Sequence, residues 1–109
     1  MIDVVGIDAP CMDFLVNLEE LPYTNCSMPI LQSSWQGGGK AATALVALAR
    51  LGGSCGIVAD IGSDLYGDVI EWDFKRHGID TSQLRRMEGA GTSLSLVLSD
   101  RKTHGRSVI

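Results

Sequence analysis

Three consecutive glycines, Gly37 to Gly39, stand directly before Lys40 and an alanine-rich run that ends at Gly52 and Gly53. Glycines without a Cβ let a ligand come close to the backbone. The helix that follows them would direct free N–H groups and its positive dipole end toward that ligand. The pattern therefore predicts a binding turn for a small polar molecule, with a plain glycine hinge before an amphipathic helix as the alternative.

The turn does not match either of two common phosphate-binding motifs. A Walker A loop needs a glycine where Ser34 stands and a hydroxyl residue where Ala41 stands. A dinucleotide fingerprint spaces its glycines apart, whereas these three are contiguous. P-loop nucleotide hydrolysis and Rossmann-type dinucleotide binding are therefore not indicated.

Size and composition limit the other classes. The chain has 109 residues and a net charge of −4, with 45% hydrophobic and 20% charged residues, which is typical of one folded domain. We expect no signal peptide and no membrane span. Three widely spaced cysteines favour reduced thiols in the cytoplasm and no metal site. Within residues 75–109 the basic residues occur mainly in pairs without aromatic residues between them, so nucleic-acid binding is not expected.

The periodicity predicts an α/β fold built on a parallel sheet. Short apolar strands are expected at 2–7 and 54–60, and helices at 40–51 and 64–77. Acids at the start of the second helix and bases at its end suit the macrodipole, and Trp72 and Phe74 are expected in its core face. After residue 91 the pattern changes to alternating strands, and the last residues begin a returning strand. The chain is therefore expected to be a piece of something longer.

Four separated segments resemble the PfkB/ribokinase family of carbohydrate kinases. They are GGKAATALVALARLG (38–52), DIGSDLYGDVIEWDFKRHGIDTS (60–82), GTSLSLVLSD (91–100) and the opening Gly6 to Asp13. The family has an asparagine where this chain has Thr43, and a polar side chain where it has Cys11. These departures bear on which substrate is bound and leave the expected fold intact.

The resemblance implies a ribokinase-like fold with a small β-sheet lid. The lid strands would lie at about 12–18, 29–35, 92–99 and 106–109, and the core at about 2–7 and 38–80. The remaining C-terminal part of the fold would lie outside these 109 residues.

The resemblance also implies the residues that hold the substrate. Asp13 matches the aspartate that grips sugar hydroxyls, since a carboxylate can accept two charge-assisted hydrogen bonds. Gly38 and Gly39 would bring the backbone to the sugar, while Lys40 and Thr43 would reach its oxygens. The alternatives are a turn aspartate, a plain helix entry and surface side chains. Asp8 has no assigned role, and Trp35 is expected to pack with its neighbours.

The activity that the resemblance implies is ATP-dependent phosphorylation of a sugar hydroxyl. The family's Gly-Ala-Gly-Asp motif, which carries the catalytic base, is not among these residues. No catalytic residue is therefore assigned, and the sites for ATP and Mg²⁺ are expected in the C-terminal part. The 109 residues alone are expected to be inactive and poorly soluble. A homodimer through the lid is a further expectation.

Two other functions stay open. The opening segment is also similar to that of adenosine-type nucleoside kinases, so a nucleoside could replace the sugar. The third possibility is a truncated, non-catalytic module for sugar binding or dimerisation.

Overall fold

The computed structural model describes residues 1–109 and contains seven strands and two helices. The elements are β1 (Val4–Ile7), β2 (Cys11–Leu18), β3 (Gln32–Gly38), α1 (Lys40–Arg50), β4 (Cys55–Gly62), α2 (Leu65–Arg76), β5 (Asp80–Met87), β6 (Ser93–Asp100) and β7 (Arg106–Val108). They form two compact units. Unit 1 comprises Met1–Met12 and Gly37–Ser93, and unit 2 comprises Asp13–Gln36 and Leu94–Ile109.

Unit 1 is an α/β layer built on a three-stranded parallel sheet in the order β1-β4-β5. Alternate residues of β4 are buried against the two helices, and Ile57 at the centre of the sheet is only 1% exposed. The buried cluster comprises Met12, Ala42, Leu45, Cys55, Ile57, Ala59, Ile61, Ile70, Phe74 and Ile79. The parallel sheet and its helices match the α/β class expected from the sequence.

Both helices begin and end within one residue of the predicted bounds. In α1, Ala42 and Leu45 face the core, and Arg50 lies in the last turn, where a cation suits the dipole. In α2, Asp64 is the N-cap and its side chain accepts a hydrogen bond from the Gly67 N–H. Local signals of capping and periodicity therefore sufficed to locate the two helices.

Strand β5 was not expected from the sequence. The core was predicted to end at about residue 80. Unit 1 continues to Ser93. The strand is rich in polar and charged residues and mostly exposed, so it lacks the apolar pattern that marks a buried strand. Its arginines have acidic partners elsewhere in unit 1: Arg85 pairs with Asp60 at 2.7 Å and Arg86 with Glu71 at 2.9 Å.

Unit 2 contains a four-stranded sheet in the order β3-β2-β6-β7. A small cluster of Val16, Leu18 and Leu98 is buried on one side, with Phe14, Leu21, Met28 and Leu96 packed around it. The antiparallel β6–β7 pair is closed by a turn in which the buried Asp100 carboxylate accepts hydrogen bonds from the Thr103 N–H and hydroxyl. These bonds hold the pKa of Asp100 below its usual range.

The strands expected for a lid correspond to β2, β3, β6 and β7, with shifted bounds. The largest shift is in β3, which was predicted at 29–35 and lies at Gln32–Gly38, running into the glycine turn. These strands form a sheet of their own. That this sheet covers a substrate remains a prediction. Neither helix is long and apolar enough to cross a membrane.

Candidate functional site

The glycine turn enters α1 through Gly39, the N-cap residue, which has φ 113° and ψ 140°. A side chain at this backbone conformation is strained, which explains why glycine stands here. Gly39 has no side chain to cap the helix, although its carbonyl accepts the first helical bond, from the Thr43 N–H, at 2.9 Å. The orphan N–H groups of the first turn therefore need partners from elsewhere in the chain.

Asp8 supplies one of these partners from the end of β1. Its Oδ2 accepts a hydrogen bond from the Ala42 N–H at 2.9 Å, and its Oδ1 accepts one from its neighbour Ala9 N–H at 2.8 Å. A Cβ on Gly39 would lie 2.6 Å from Asp8 Oδ2. The carboxylate thus packs directly against the turn and serves as a long-range N-cap.

This arrangement bears on one expectation about the turn, which otherwise remains a prediction. The start of α1 was expected to offer its free N–H groups and positive end to a ligand, but the Ala42 N–H is already taken and a negative charge lies beside it. Sequence reasoning left Asp8 without a role because it lies 34 residues from its partner. Its one signal in the sequence was an acid directly after a predicted strand.

Lys40 and Thr43 lie three residues apart in the first turn of α1, and both are exposed. Residues at this spacing share one face of a helix. Gly38 is buried and Gly39 half-buried at the start of the same turn. Four of the five predicted substrate residues, Gly38, Gly39, Lys40 and Thr43, are therefore together in unit 1.

Asp13 is the first residue of unit 2 and lies in β2, where it is half-buried. By strand alternation it shares a face with Leu15 and Asn17, opposite the face that carries Phe14 and Val16 toward the small core. Asn17 Nδ2 donates to Ser99 Oγ at 3.1 Å on β6. The convergence of Asp13 with the glycine turn remains a prediction.

A groove of about 450 Å³ lies in unit 2 near this polar face. It is lined by Leu15, Val16, Asn17, Gln32, Ser33, Ser34 and Ser99. Its amides and hydroxyls can both donate and accept hydrogen bonds. Trp35, on the neighbouring β3, stacks on Phe14 with ring centroids 4.3 Å apart, so it packs with a neighbour as expected.

A second polar cluster joins Gly62, Asp64 and Gly67 to Thr92 through hydrogen bonds. The Thr92 hydroxyl donates to Asp64 Oδ1 at 2.6 Å and accepts from the Gly62 N–H at 2.9 Å. The Thr92 N–H donates to Asp64 Oδ2 at 2.8 Å, and the Gly67 N–H donates to Asp64 Oδ1 at 2.8 Å. One carboxylate therefore joins the end of β4, the start of α2 and the segment that leads into β6.

Arg86 completes this cluster from β5. Its Nε donates to the Gly62 carbonyl at 3.0 Å and its Nη2 to the Asp64 carbonyl at 3.1 Å. The guanidinium also forms ion pairs with Asp68 and Glu71 at 2.5 and 2.9 Å. These bonds join β4, α2 and β5, so the cluster holds unit 1 together.

The hydrogen bonds from the hydroxyl and N–H of Thr92, followed by that from Gly67, lower the pKa of Asp64 to about 2. An aspartate with a lower pKa in the folded state stabilises the fold above its unfolded pKa, near 4, and this contribution is lost as the pH falls toward 2. Asp64→Asn is therefore expected to destabilise the chain at pH 7, with a difference from wild type that narrows between about pH 4 and 2.

Denaturant unfolding at several pH values measures this difference. Thr92→Val is the matched variant, because it keeps the charge and removes the strongest of these hydrogen bonds. Without this bond the pKa of Asp64 should be higher, so the variant should lose stability at a higher pH than the wild type does. A constant gap between wild type and Asp64→Asn from pH 7 to pH 2 would contradict the assignment.

The architecture of these units is shared with ribokinases. The structure of ribokinase from Arabidopsis thaliana in complex with ribose and ATP superposes with a TM-score of 0.85, at 21% identity, over 96% of this chain and 34% of that one. The sequence profile of the pfkB family carbohydrate kinases matches residues 1–109. The chain belongs to that family.

Curated relatives include both sugar and nucleoside kinases. Ketohexokinase from Mus musculus is 24% identical over 98 residues, which are 90% of this chain and 33% of the relative. A nucleoside kinase from Methanothermobacter thermautotrophicus is 26% identical over 98 residues, which are 90% of this chain and 32% of the relative. The chain spans about a third of the length of the curated relatives that it matches.

Proposed function

We propose that this chain is the sugar-binding part of an ATP-dependent carbohydrate kinase, which transfers the γ-phosphate of ATP to a sugar hydroxyl. The observation that carries the proposal is the start of α1. There Gly39 has positive φ, Asp8 accepts a hydrogen bond from the Ala42 N–H, and the exposed Lys40 and Thr43 lie on one helix face, in a chain of the pfkB family. Hydroxyl and ammonium groups side by side on an exposed helix face suit a polyhydroxylated substrate.

Asp13 is proposed to bind the sugar together with this turn, and the unit 2 sheet to act as the lid. A half-buried carboxylate on the polar face of β2 can accept two hydroxyl hydrogen bonds at once. Those bonds would select and orient the sugar. Phosphoryl transfer depends mainly on such positioning and on stabilisation of the transferring group.

ATP and Mg²⁺ are proposed to bind outside these 109 residues. The chain brings together no group of three or more His, Cys, Asp or Glu side chains suited to a metal ion. The Asp8 carboxylate beside the α1 N-terminus would also repel a triphosphate there. This chain covers only 34% of the Arabidopsis thaliana ribokinase whose structure contains ribose and ATP, which supports a nucleotide site in the remaining part of the kinase.

A nucleoside is the second candidate substrate, supported by the 26% identity to a nucleoside kinase. A ribosyl group presents hydroxyls like those of a free sugar, so Asp13 could serve both. Dimerisation through the unit 2 sheet and a cytoplasmic location belong to the same proposal. Turnover of a panel of hexoses, pentoses and nucleosides with ATP by the whole kinase would separate the two substrate classes.

Asp13→Ala in the whole kinase is expected to raise the KM for the sugar by roughly a hundredfold or more, since each hydrogen bond to a charged group contributes about 1.5–3 kcal/mol. The measurement is steady-state kinetics with saturating ATP, with direct sugar binding by calorimetry. The KM for ATP should change little, because the nucleotide is proposed to bind elsewhere.

Glu19→Ala is the matched control, since Glu19 is an exposed acid that directly follows the same strand. Its sugar KM should stay within about twofold of wild type. Equal kinetics for Asp13→Ala and Glu19→Ala would remove Asp13 from the sugar site. Activity on no sugar or nucleoside would overturn the proposed function itself.

A further inference from the structure

Asp8 lies directly after β1, and the sheet of unit 1 fixes its backbone. The Asp8 N–H donates to the Val58 carbonyl on β4 at 3.3 Å, beside the last pair of the β1–β4 ladder. Strand β1 also packs closely on α1, since a Cβ on Gly6 would lie 2.7 Å from Leu45 Cδ1. The half-buried Asp8 is therefore a rigid point next to the start of that helix.

Two backbone N–H groups fix the orientation of the Asp8 carboxylate. Its Oδ1 accepts a hydrogen bond from Ala9 and its Oδ2 accepts one from Ala42, at 2.8 and 2.9 Å. The residue after Ala42 is Thr43, whose own N–H donates to the Gly39 carbonyl at 2.9 Å. The carboxylate thus connects the sheet to the first turn of α1, one residue before Thr43.

Of the two polar side chains in this turn, Thr43 depends more on the backbone than Lys40 does. A threonine carries its hydroxyl on a branched Cβ with a restricted χ1, so a shift of the helix moves the hydroxyl with it. The Lys40 ammonium is on a flexible four-carbon stem and can follow a substrate. Since a hydrogen bond weakens steeply with poor geometry, the Thr43 hydroxyl needs a fixed helix start to bind a sugar oxygen.

We propose that Asp8 is a positioning residue of the sugar site, which places the Thr43 hydroxyl through the Ala42 N–H. This inference rests on the proposed function, because it takes Thr43 as a group that binds the sugar. Without the carboxylate, the Ala42 N–H loses its partner and the turn loses this connection to β1. Sugar binding must then order the turn, which weakens the affinity.

Asp8→Ala in the whole kinase is expected to raise the sugar KM roughly five- to tenfold, which corresponds to one neutral hydrogen bond. Asp8→Asn should stay within about twofold of wild type, because asparagine is as good an N-cap residue as aspartate and offers the Ala42 N–H an oxygen at the same reach. Steady-state kinetics with saturating ATP measure both effects, and circular dichroism measures the folded fraction. A purely structural defect would lower kcat by reducing the amount of folded enzyme and would leave the KM unchanged.

Asp3→Ala is the matched control. Asp3 lies directly before β1 as Asp8 lies directly after it, and its Oδ2 accepts a hydrogen bond from the Ser54 N–H at 3.2 Å. Its sugar KM should stay within about twofold of wild type. Asp8→Glu is the second variant if Asp8→Ala does not fold. It keeps the charge, but its longer side chain cannot leave the carboxylate at the Ala42 N–H, so its sugar KM should rise as well.

A double-mutant cycle tests whether Asp8 acts through Thr43. In a Thr43→Ala background, Asp8→Ala should raise the sugar KM by less than about twofold, because the group that it positions is gone. An active kinase in which Asp8→Ala leaves the sugar KM unchanged, or in which the two effects are additive, overturns this inference and leaves the proposed function in place. A whole kinase with no activity on any sugar or nucleoside overturns the proposed function, and this inference with it.

Discussion

Gly67→Ala is expected to lower the free energy of unfolding by about 3 kcal/mol or more, the upper range for overpacking. In an ordinary helix this change would gain about 1 kcal/mol of propensity. Here the added methyl group would overlap the Gly62 carbonyl oxygen, a backbone atom at the end of β4, and would crowd the Thr92 hydroxyl at 3.1 Å. Helix α2 must move outward, which also breaks the Asp64 cap.

Urea unfolding followed by far-UV circular dichroism measures this loss. Gly91→Ala is the matched control, since a Cβ at that glycine meets no atom within 4 Å. It should stay within about 0.5 kcal/mol of wild type. If Gly67→Ala were as stable as Gly91→Ala, the close approach of α2 to β4 would be wrong.

The Gly67 contact also shows which features of the fold can be predicted from the sequence and which cannot. The segment 60–82, which contains Gly62 and Gly67, resembles a segment of the family, and the helix within it was predicted correctly. The reason for the spacing was not visible, because it depends on Thr92, 30 residues from Gly62. Local signals therefore predict where α2 lies, whereas the long-range hydrogen bond of Thr92 explains why Gly62, Asp64 and Gly67 stand at their positions.

The same distinction between local signals and long-range contacts accounts for the other differences between the predicted and the observed fold. Strand β5 was not predicted because its arginines have the pattern of a solvent-exposed segment. Their ion-pair partners, Asp60 and Glu71, are distant in the sequence. Trp72, which is 60% exposed, was assigned to the core because periodicity identifies an apolar face without saying which face packs inward. Amphipathic elements with local caps are predictable from one sequence, whereas partners distant along the chain are not.

In the candidate site, too, residues that are close in the sequence were predicted together, and a distant partner was not. Gly38, Gly39, Lys40 and Thr43 are close together in the chain, and the structure keeps them together at the start of α1. Asp8 reaches the same turn from β1 and was overlooked. Its carboxylate accepts a hydrogen bond from the Ala42 N–H, so a residue 34 positions away fixes the start of the helix.

Gly39→Ala is the second variant with a large expected effect. A side chain at φ 113° costs on the order of 1–3 kcal/mol. The new methyl group would also lie 2.6 Å from Asp8 Oδ2 and 3.2 Å from the backbone of Pro10, which displaces the carboxylate that caps the Ala42 N–H. Loss of a cap adds about 1 kcal/mol. We expect a total near 2–4 kcal/mol by urea unfolding.

Two comparisons separate these contributions. Gly52 also has positive φ, 91°, but nothing lies within 4 Å of its Cβ position, so Gly52→Ala should show the backbone strain alone. In an Asp8→Ala background the Gly39→Ala change should cost about 1 kcal/mol less, because the carboxylate is no longer displaced. Additive effects of the two changes would mean that Asp8 and Gly39 act independently. Coupling between them would establish that the Asp8 carboxylate, directly after β1, holds the turn that leads to Lys40 and Thr43.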